Sequence, residues 1–155
     1  MNDAAHKSDT RDIVVDEVFP HAPETIWKTL TSGALMGRWI MEPKGFAPVE
    51  GNRFTYQTES AGAWDGTIYC QVLEVVANER LVYAWKGGDA GNVGYGAPLD
   101  TVVTFTLSKV AVGTRLRLVH AGFITPKNDS ALKTMGEGWK TVMKRIGAVT
   151  GEQEN

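Results

Sequence analysis

Between Asp129 and Thr150, apolar residues recur at Leu132, Met135, Trp139, Val142, Met143, Ile146 and Val149. Steps of three and four put them on one face of an α-helix, with Lys133, Lys140, Lys144 and Arg145 on the other. Asn128 or Asp129 is placed to cap its start, and Gly151 to stop its end. A long helix with one apolar face needs a broad apolar partner. Almost everything before it reads as strand, so the chain is expected to be a sheet closed by this helix.

The strands announce themselves by β-branched runs and turn chemistry. Asp12 to Phe19 is a Val- and Ile-rich strand, ended by Pro20. Pro23 suits the first turn of a short helix to Thr31, and Gly33 separates it from a second, Ala34 to Trp39. Met41 to Gly51 is irregular. Strands follow over Asn52 to Thr58, Gly66 to Val76, Arg80 to Lys86, Leu99 to Ser108 and Thr114 to Ala121. The turns between them fall at Ser60 to Asp65, Ala77 to Glu79, the glycine-rich Gly87 to Pro98, and Ala111 to Gly113. In the last two strands Val103, Phe105 and Leu107 share one face, as do Leu116, Leu118 and His120. One dry face and one wet face mark an antiparallel sheet covered on one side. Residues 1–11 and 151–155 are expected as tails, with one domain over 12–150.

At 155 residues the chain can bury a sizeable single core. A net charge of -2 offers no electrostatic case for nucleic acid or an anionic membrane. No apolar run approaches the roughly 20 residues of a membrane span, and the polar N-terminus lacks a signal-peptide core. The single cysteine, Cys70, fits a buried thiol in a reducing compartment. The expectation is a soluble, cytoplasmic protein.

Several strings together carry a resemblance. They are Val18-Phe19 with Ala22-Pro23 and Ile26-Trp27; Gly37-Arg38-Trp39 before Pro43-Lys44-Gly45-Phe46; and Glu79-Arg80-Leu81-Val82-Tyr83 with Trp85. Gly113-Thr114-Arg115-Leu116, running through His120 to Gly122-Phe123, and Gly138-Trp139 complete the set. In this order the chain resembles the SRPBCC (START-like) superfamily, in the branch named for the activator of the heat-shock protein 90 ATPase. The resemblance implies an α+β helix-grip fold. That fold is a curved antiparallel sheet of six or seven strands wrapped on a long C-terminal helix, with two short helices after the first strand and a cavity between sheet and helix. It implies either a ligand binder or a polyketide cyclase-like protein, and the branch name adds a stress-response or co-chaperone role. Two departures stand out. Ile40 takes the place of a second tryptophan, and Met135 stands where relatives often carry histidine.

His120 is the sharpest polar candidate, since it continues the inward face of its strand. It reads as a ligand contact or a weak candidate general base, or else as a core histidine with satisfied nitrogens. Tyr56, Tyr69, Tyr83, Trp85, Phe105 and Trp139 are aromatics for a pocket wall or for a large core. Tyr69 is read on one face with Leu73 and Val75. The glycine-rich loop fits no phosphate-binding motif. It reads as a flap carrying Tyr95 or as a plain surface loop. Gly136, costly inside a helix, is read as close packing or as space for a ligand beside Trp139. On the second reading Gly136→Leu would abolish binding. His6, His21 and His120 with Cys70 show no metal-ligand spacing. No paired carboxylates, nucleophile elbow or Cys-His set can be assembled.

The expected function is binding of a small hydrophobic or amphipathic molecule, with no metal or organic cofactor. Trp39, Phe46, Tyr69, Tyr83, Trp85, Phe105, His120, Trp139 and Met143 are the candidate ligand-binding residues. The alternatives are a cyclase or hydrolase acting on such a ligand, and a co-chaperone-like module with a chaperone partner. The reading leaves open self-association into a homodimer.

Overall fold

In a computed structural model the described residues are 9–153. His6 lies outside them. Six strands and three helices follow in the order β1 (Asp9–Phe19), α1 (Pro23–Thr31), α2 (Gly33–Trp39), β2 (Arg53–Gln57), β3 (Thr67–Val76), β4 (Arg80–Gly87), β5 (Leu99–Val110), β6 (Gly113–Thr125) and α3 (Asp129–Gln153). The strands make one antiparallel, curved sheet in the order β1-β6-β5-β4-β3-β2. This is the helix-grip architecture. Sequential strands pair through short turns, and the first strand returns to the last, Phe19 opposite Thr114 and Val14 opposite Val119.

Local chemistry explains the turns. Val110 pairs with Gly113 around Ala111 and Val112, a two-residue hairpin loop. Asn78 takes the left-handed conformation, φ 66°, in the loop joining β3 to β4. Asparagine tolerates that conformation better than most residues.

Some element ends differ from the sequence expectation. β1 begins at Asp9 and not Asp12, because Asp9, Thr10 and Arg11 pair with Thr125, Ile124 and Phe123 across a bulge. α3 runs through Gly151 to Gln153. The Asn128 side chain does not cap α3. It is buried, accepts from the Ile124 N–H at 2.9 Å and donates to the Pro98 carbonyl at 2.9 Å. It thereby ties the β6–α3 corner to the start of β5.

The core lies between the concave face of the sheet and α3. Leu81, Tyr83, Val103, Phe105, Leu116 and Leu118 are fully buried from the sheet side. Trp139, Met143, Ile146 and Val149 meet them from α3. α1 and α2 close one side with Ile26, Leu30, Met36 and Trp39, each with no exposed surface. Burial of this kind is worth about 25 cal/mol for each Å² of apolar surface removed from water, and it is what holds two short helices, one long helix and a twisted sheet together. Among the described residues no helix is long and apolar enough to cross a membrane.

Candidate functional site

Most of the space between sheet and helix is filled by aromatic rings. Trp39 meets Phe105 edge-on at 5.9 Å, and Phe105 meets Trp139 at 6.0 Å. Phe54 bridges Phe46 at 5.0 Å to Tyr83 at 5.2 Å. Tyr56 and Tyr83 are fully buried with their hydroxyls 3.2 Å apart, and burial pushes the pKa of both well above the usual phenol range, so both stay neutral. The two hydroxyls share one hydrogen bond, and neither residue lines the cavity that remains.

Space remains at one end. A cavity of about 200 Å³ lies between the first half of α3 and the ends of the strands. Its inner wall is Ile68 of β3, Trp85 of β4 and Trp139 of α3. Met135, Gly138 and Val142 continue the helical side, and Ile40 and Met41 come from the segment after α2. Trp64 and Tyr95 arrive from two loops, their rings 6.3 Å apart. The hydroxyls of Thr58, Thr134 and Tyr95 are the polar groups on this wall, which carries no charged side chain.

The two loops are pinned to one another. Asn92 accepts from the Ala63 N–H at 2.9 Å and donates to the Ala61 carbonyl at 2.6 Å. A Cβ on Gly62 would stand 2.4 Å from Asn92 Oδ1, so only glycine admits this clamp. The glycine-rich segment is thus a braced rim and not a free flap.

His120 sits behind Trp139 with no exposed surface. Trp139 Nε1 donates to His120 Nδ1 at 3.0 Å. An indole nitrogen can only donate, so Nδ1 carries a lone pair and the ring proton is on Nε2. His120 Nε2 then donates to Thr101 Oγ1 at 2.8 Å, and Thr101 Oγ1 donates to the Trp85 carbonyl at 2.7 Å. Burial pushes the imidazole pKa down to about 3, so the ring is neutral through the physiological range. The relay joins the Trp139 indole to the backbone carbonyl of Trp85.

A profile for Activator of Hsp90 ATPase homolog 1-like protein matches residues 20–151. The chain belongs to that family. Its fold is shared by solved structures of the SRPBCC, polyketide cyclase-like kind. Protein MLL2253 from Mesorhizobium loti is 31% identical over 92% of this chain and 98% of that one, with a TM-score of 0.78. CalU16 from Micromonospora echinospora is 23% identical over 94% of this chain and 79% of that one, with a TM-score of 0.70. DynU16, a protein of the dynemicin biosynthetic locus, is 17% identical over 88% of this chain and 46% of that one, with a TM-score of 0.68. A search of curated proteins finds no match. The family and the fold fit a ligand-binding or cyclase-like role in general terms.

In this family member the residues expected at the site separate into three groups. Trp85 and Trp139 line the cavity. Trp39, Tyr83, Phe105, His120 and Met143 are buried beneath it, and Phe46 packs on Phe54, away from the opening. Both nitrogens of His120 are engaged, which leaves it no lone pair or proton for a ligand or a reaction. Tyr69 is the clear correction. It is 59% exposed on the outer face with Leu73, while Ile68, Cys70 and Val72 point inward. A bulge between Val72 and Glu74 shifts the register, so Val75 returns to the inner side.

Gly136 is a second correction. A Cβ there would meet nothing within 4 Å, and the residue does not line the cavity, whereas Gly138 does. Trp64, Ile40 and Met41 escaped the sequence reading because they lie outside regular elements, where no periodicity assigns a face. A tryptophan isolated between Ala63 and Asp65 in an otherwise small-residue turn was the available signal. Among the described residues, no group of three or more His, Cys, Asp and Glu side chains stands close enough to hold a metal ion.

Proposed function

We propose that the protein binds a small, uncharged hydrophobic or amphipathic molecule in the cavity at the N-terminal end of α3. The observation that carries this is the wall itself, in which three indoles, one phenol and five aliphatic or thioether side chains surround about 200 Å³ without a charged group. Concave apolar space with a few hydroxyls at its rim is what small-molecule sites are made of. An apolar void of roughly 150 Å³ takes up benzene, so this one suits a ligand of roughly eight to ten non-hydrogen atoms, one or two fused rings. A three- or four-ring skeleton would have to leave part of itself outside.

The cyclase-like alternative shares the site but would need a group to move protons. The lining residues offer threonine and tyrosine hydroxyls and no carboxylate, amine or imidazole, which favours binding over turnover. The family fits a chaperone interaction as well as a hydrophobic ligand. The cavity supports the ligand. The occurrence of DynU16 in the dynemicin biosynthetic locus is in keeping with small-molecule chemistry.

The test is a titration with naphthalene, followed by tryptophan fluorescence, on the wild type and on Gly138→Leu. A helical side chain covers the turn N-terminal to its own Cα, which here carries Thr134 and Met135 of the rim. A Cβ at Gly138 meets nothing within 4 Å, so the new side chain starts into open space at an exposed position. Saturable quenching in the wild type and roughly tenfold weaker binding in the variant are expected. No saturable response from the wild type would refute the site.

A further inference from the structure

The outer face of the sheet does not keep the polar character of a solvated face. Val14, Leu73, Val82, Ala84, Val102 and Val119 point away from the core, at positions where polar residues are the rule. Val14 is 48% and Leu73 46% exposed, and Tyr69 stands out beside them. α3 and the core lie on the opposite side. Apolar side chains collected on one exposed face mark a surface that meets a partner.

The order of charges on this face names the partner. One row of cross-strand neighbours runs the full width of the sheet, from β1 at one edge to β2 at the other. It reads Asp12, Ala121, Val102, Ala84, Gln71, Arg53. An acid stands at one end, a base at the other, and apolar side chains fill the middle. Turned end for end and laid upon itself, the row is complementary. Asp12 meets Arg53, Ala121 meets Gln71, and Val102 meets Ala84. The adjacent row obeys the same rule. Asp100 of β5 and Lys86 of β4 are cross-strand neighbours, with Nζ 3.8 Å from Oδ1, so reversal again sets acid on base. Tyr69, next to Lys86 on β3, then comes over β6 near Ala121 and Gly122, where side chains are smallest.

We propose that this face joins two copies of the chain in a symmetric dimer. The two-fold axis runs along the strands, between β4 and β5. Such an interface is isologous, so each acid–base contact occurs twice. Sheets stacked face to face keep their strands within about 30° of one another, which this axis provides. An axis across the strands would instead set the β1 edge, with Asp12 and Asp16, against its own copy. With strands about 4.8 Å apart and about five residues of each in contact, the face is roughly 24 Å by 16 Å. That is at the small end for a specific interface, so the dimer forms with a Kd of roughly tens of micromolar. The cavity opens on the other side of the sheet, and the proposal is independent of what binds there.

The test is sedimentation equilibrium of the full-length chain from about 1 µM to about 500 µM, a range that brackets the expected Kd. The wild type should pass from monomer to dimer. Asp12→Lys and Arg53→Asp, both at exposed positions, should each weaken association at least about tenfold, since two acid–base contacts become two like-charge contacts. Mixed in equal amounts, the two variants should recover wild-type affinity as a heterodimer in which both contacts again join opposite charges. The chain carrying both substitutions should dimerise by itself. Asp12 also accepts from the Gly122 N–H at 3.3 Å. Lys86→Asp with Asp100→Lys is therefore a second swap, which must show the same reciprocal pattern and carries the test if Asp12→Lys does not fold. A wild type that stays monomeric over the whole range overturns the proposal. So does a dimer indifferent to the single substitutions, or a mixture that associates no better than its components.

Discussion

The two halves of α3 are built from similar residues and do opposite things. Toward the C-terminus, Met143, Ile146 and Val149 are pressed against the sheet and the first helix. Gly147 belongs to that packing, since a Cβ on it would stand 2.5 Å from Cε1 of Phe19. Toward the N-terminus, Met135 and Val142 are only half-buried, and Cβ atoms on Gly136 and Gly138 would meet nothing. Trp139 is the seam, tied to His120 on one side and open to the cavity on the other. A glycine in a helix therefore has no fixed meaning. In one half it permits contact, and in the other it leaves the helix standing away from its neighbours.

The largest test of the contrast is at Gly147. Gly147→Leu must displace the Phe19 ring from β1, and overpacking of this severity is expected to cost about 3 kcal/mol or more. Urea unfolding would measure it. The same substitution at Gly138 should change stability by less than about 1 kcal/mol, since the position is exposed and a helix prefers leucine to glycine. Equal losses at the two positions would erase the distinction between the halves.

The seam is sensitive to acid. His120 has its pKa held at about 3 in the folded protein, against an ordinary 6.5 in the unfolded chain. Between those values the unfolded state binds the proton that the folded state refuses, so this contribution is complete above pH 6.5 and is lost as pH falls toward 3. From pH 7 to pH 4.5 it should remove roughly 2 to 3 kcal/mol of stability. Protonation would also set an N–H of His120 against the Trp139 N–H that now donates to it. His120→Gln keeps an acceptor within reach of the indole but cannot titrate. Comparing urea midpoints at both pH values should show the wild type losing more stability than the variant. Parallel losses would mean that His120 can be protonated in place.

The helix-grip fold was legible because its cues are local and repeated. Alternation in Val103, Phe105 and Leu107 correctly gave their inward face, as it did for Leu116, Leu118 and His120. The α3 stripe was equally plain. β3 misled because both of its faces are apolar. Tyr69 and Leu73 alternate as well as Ile68, Cys70 and Val72, and period two cannot say which set is inside. The bulge after Val72 then splits Val75 from the set it seemed to share. Of the residues expected to bind a ligand, the site keeps Trp85 and Trp139, both on regular elements, and the loop residue Tyr95 read as part of a flap also reaches it. Ile68, Met135 and Val142 complete the walls from β3 and α3, and Trp64, Ile40 and Met41 come from irregular segments in which no periodicity assigns a face.

The smallest expected effect isolates the N-terminal half. Gly136→Ala adds a methyl group that touches nothing and removes the backbone freedom that glycine keeps in the unfolded chain. It should stabilise the protein by roughly 0.5 to 1 kcal/mol, a rise in Tm of roughly 1 to 4 °C for a chain of this size. Gly147→Ala adds the same methyl group and gains the same helical propensity, yet it meets Phe19 and should lower Tm. Opposite signs from one substitution on one helix would show that packing, and not propensity, separates the halves. Naphthalene affinity should be unchanged in Gly136→Ala, because the residue stands off the cavity wall. A stabilised variant that binds more weakly would mean that the cavity extends one turn further along α3 than its present lining.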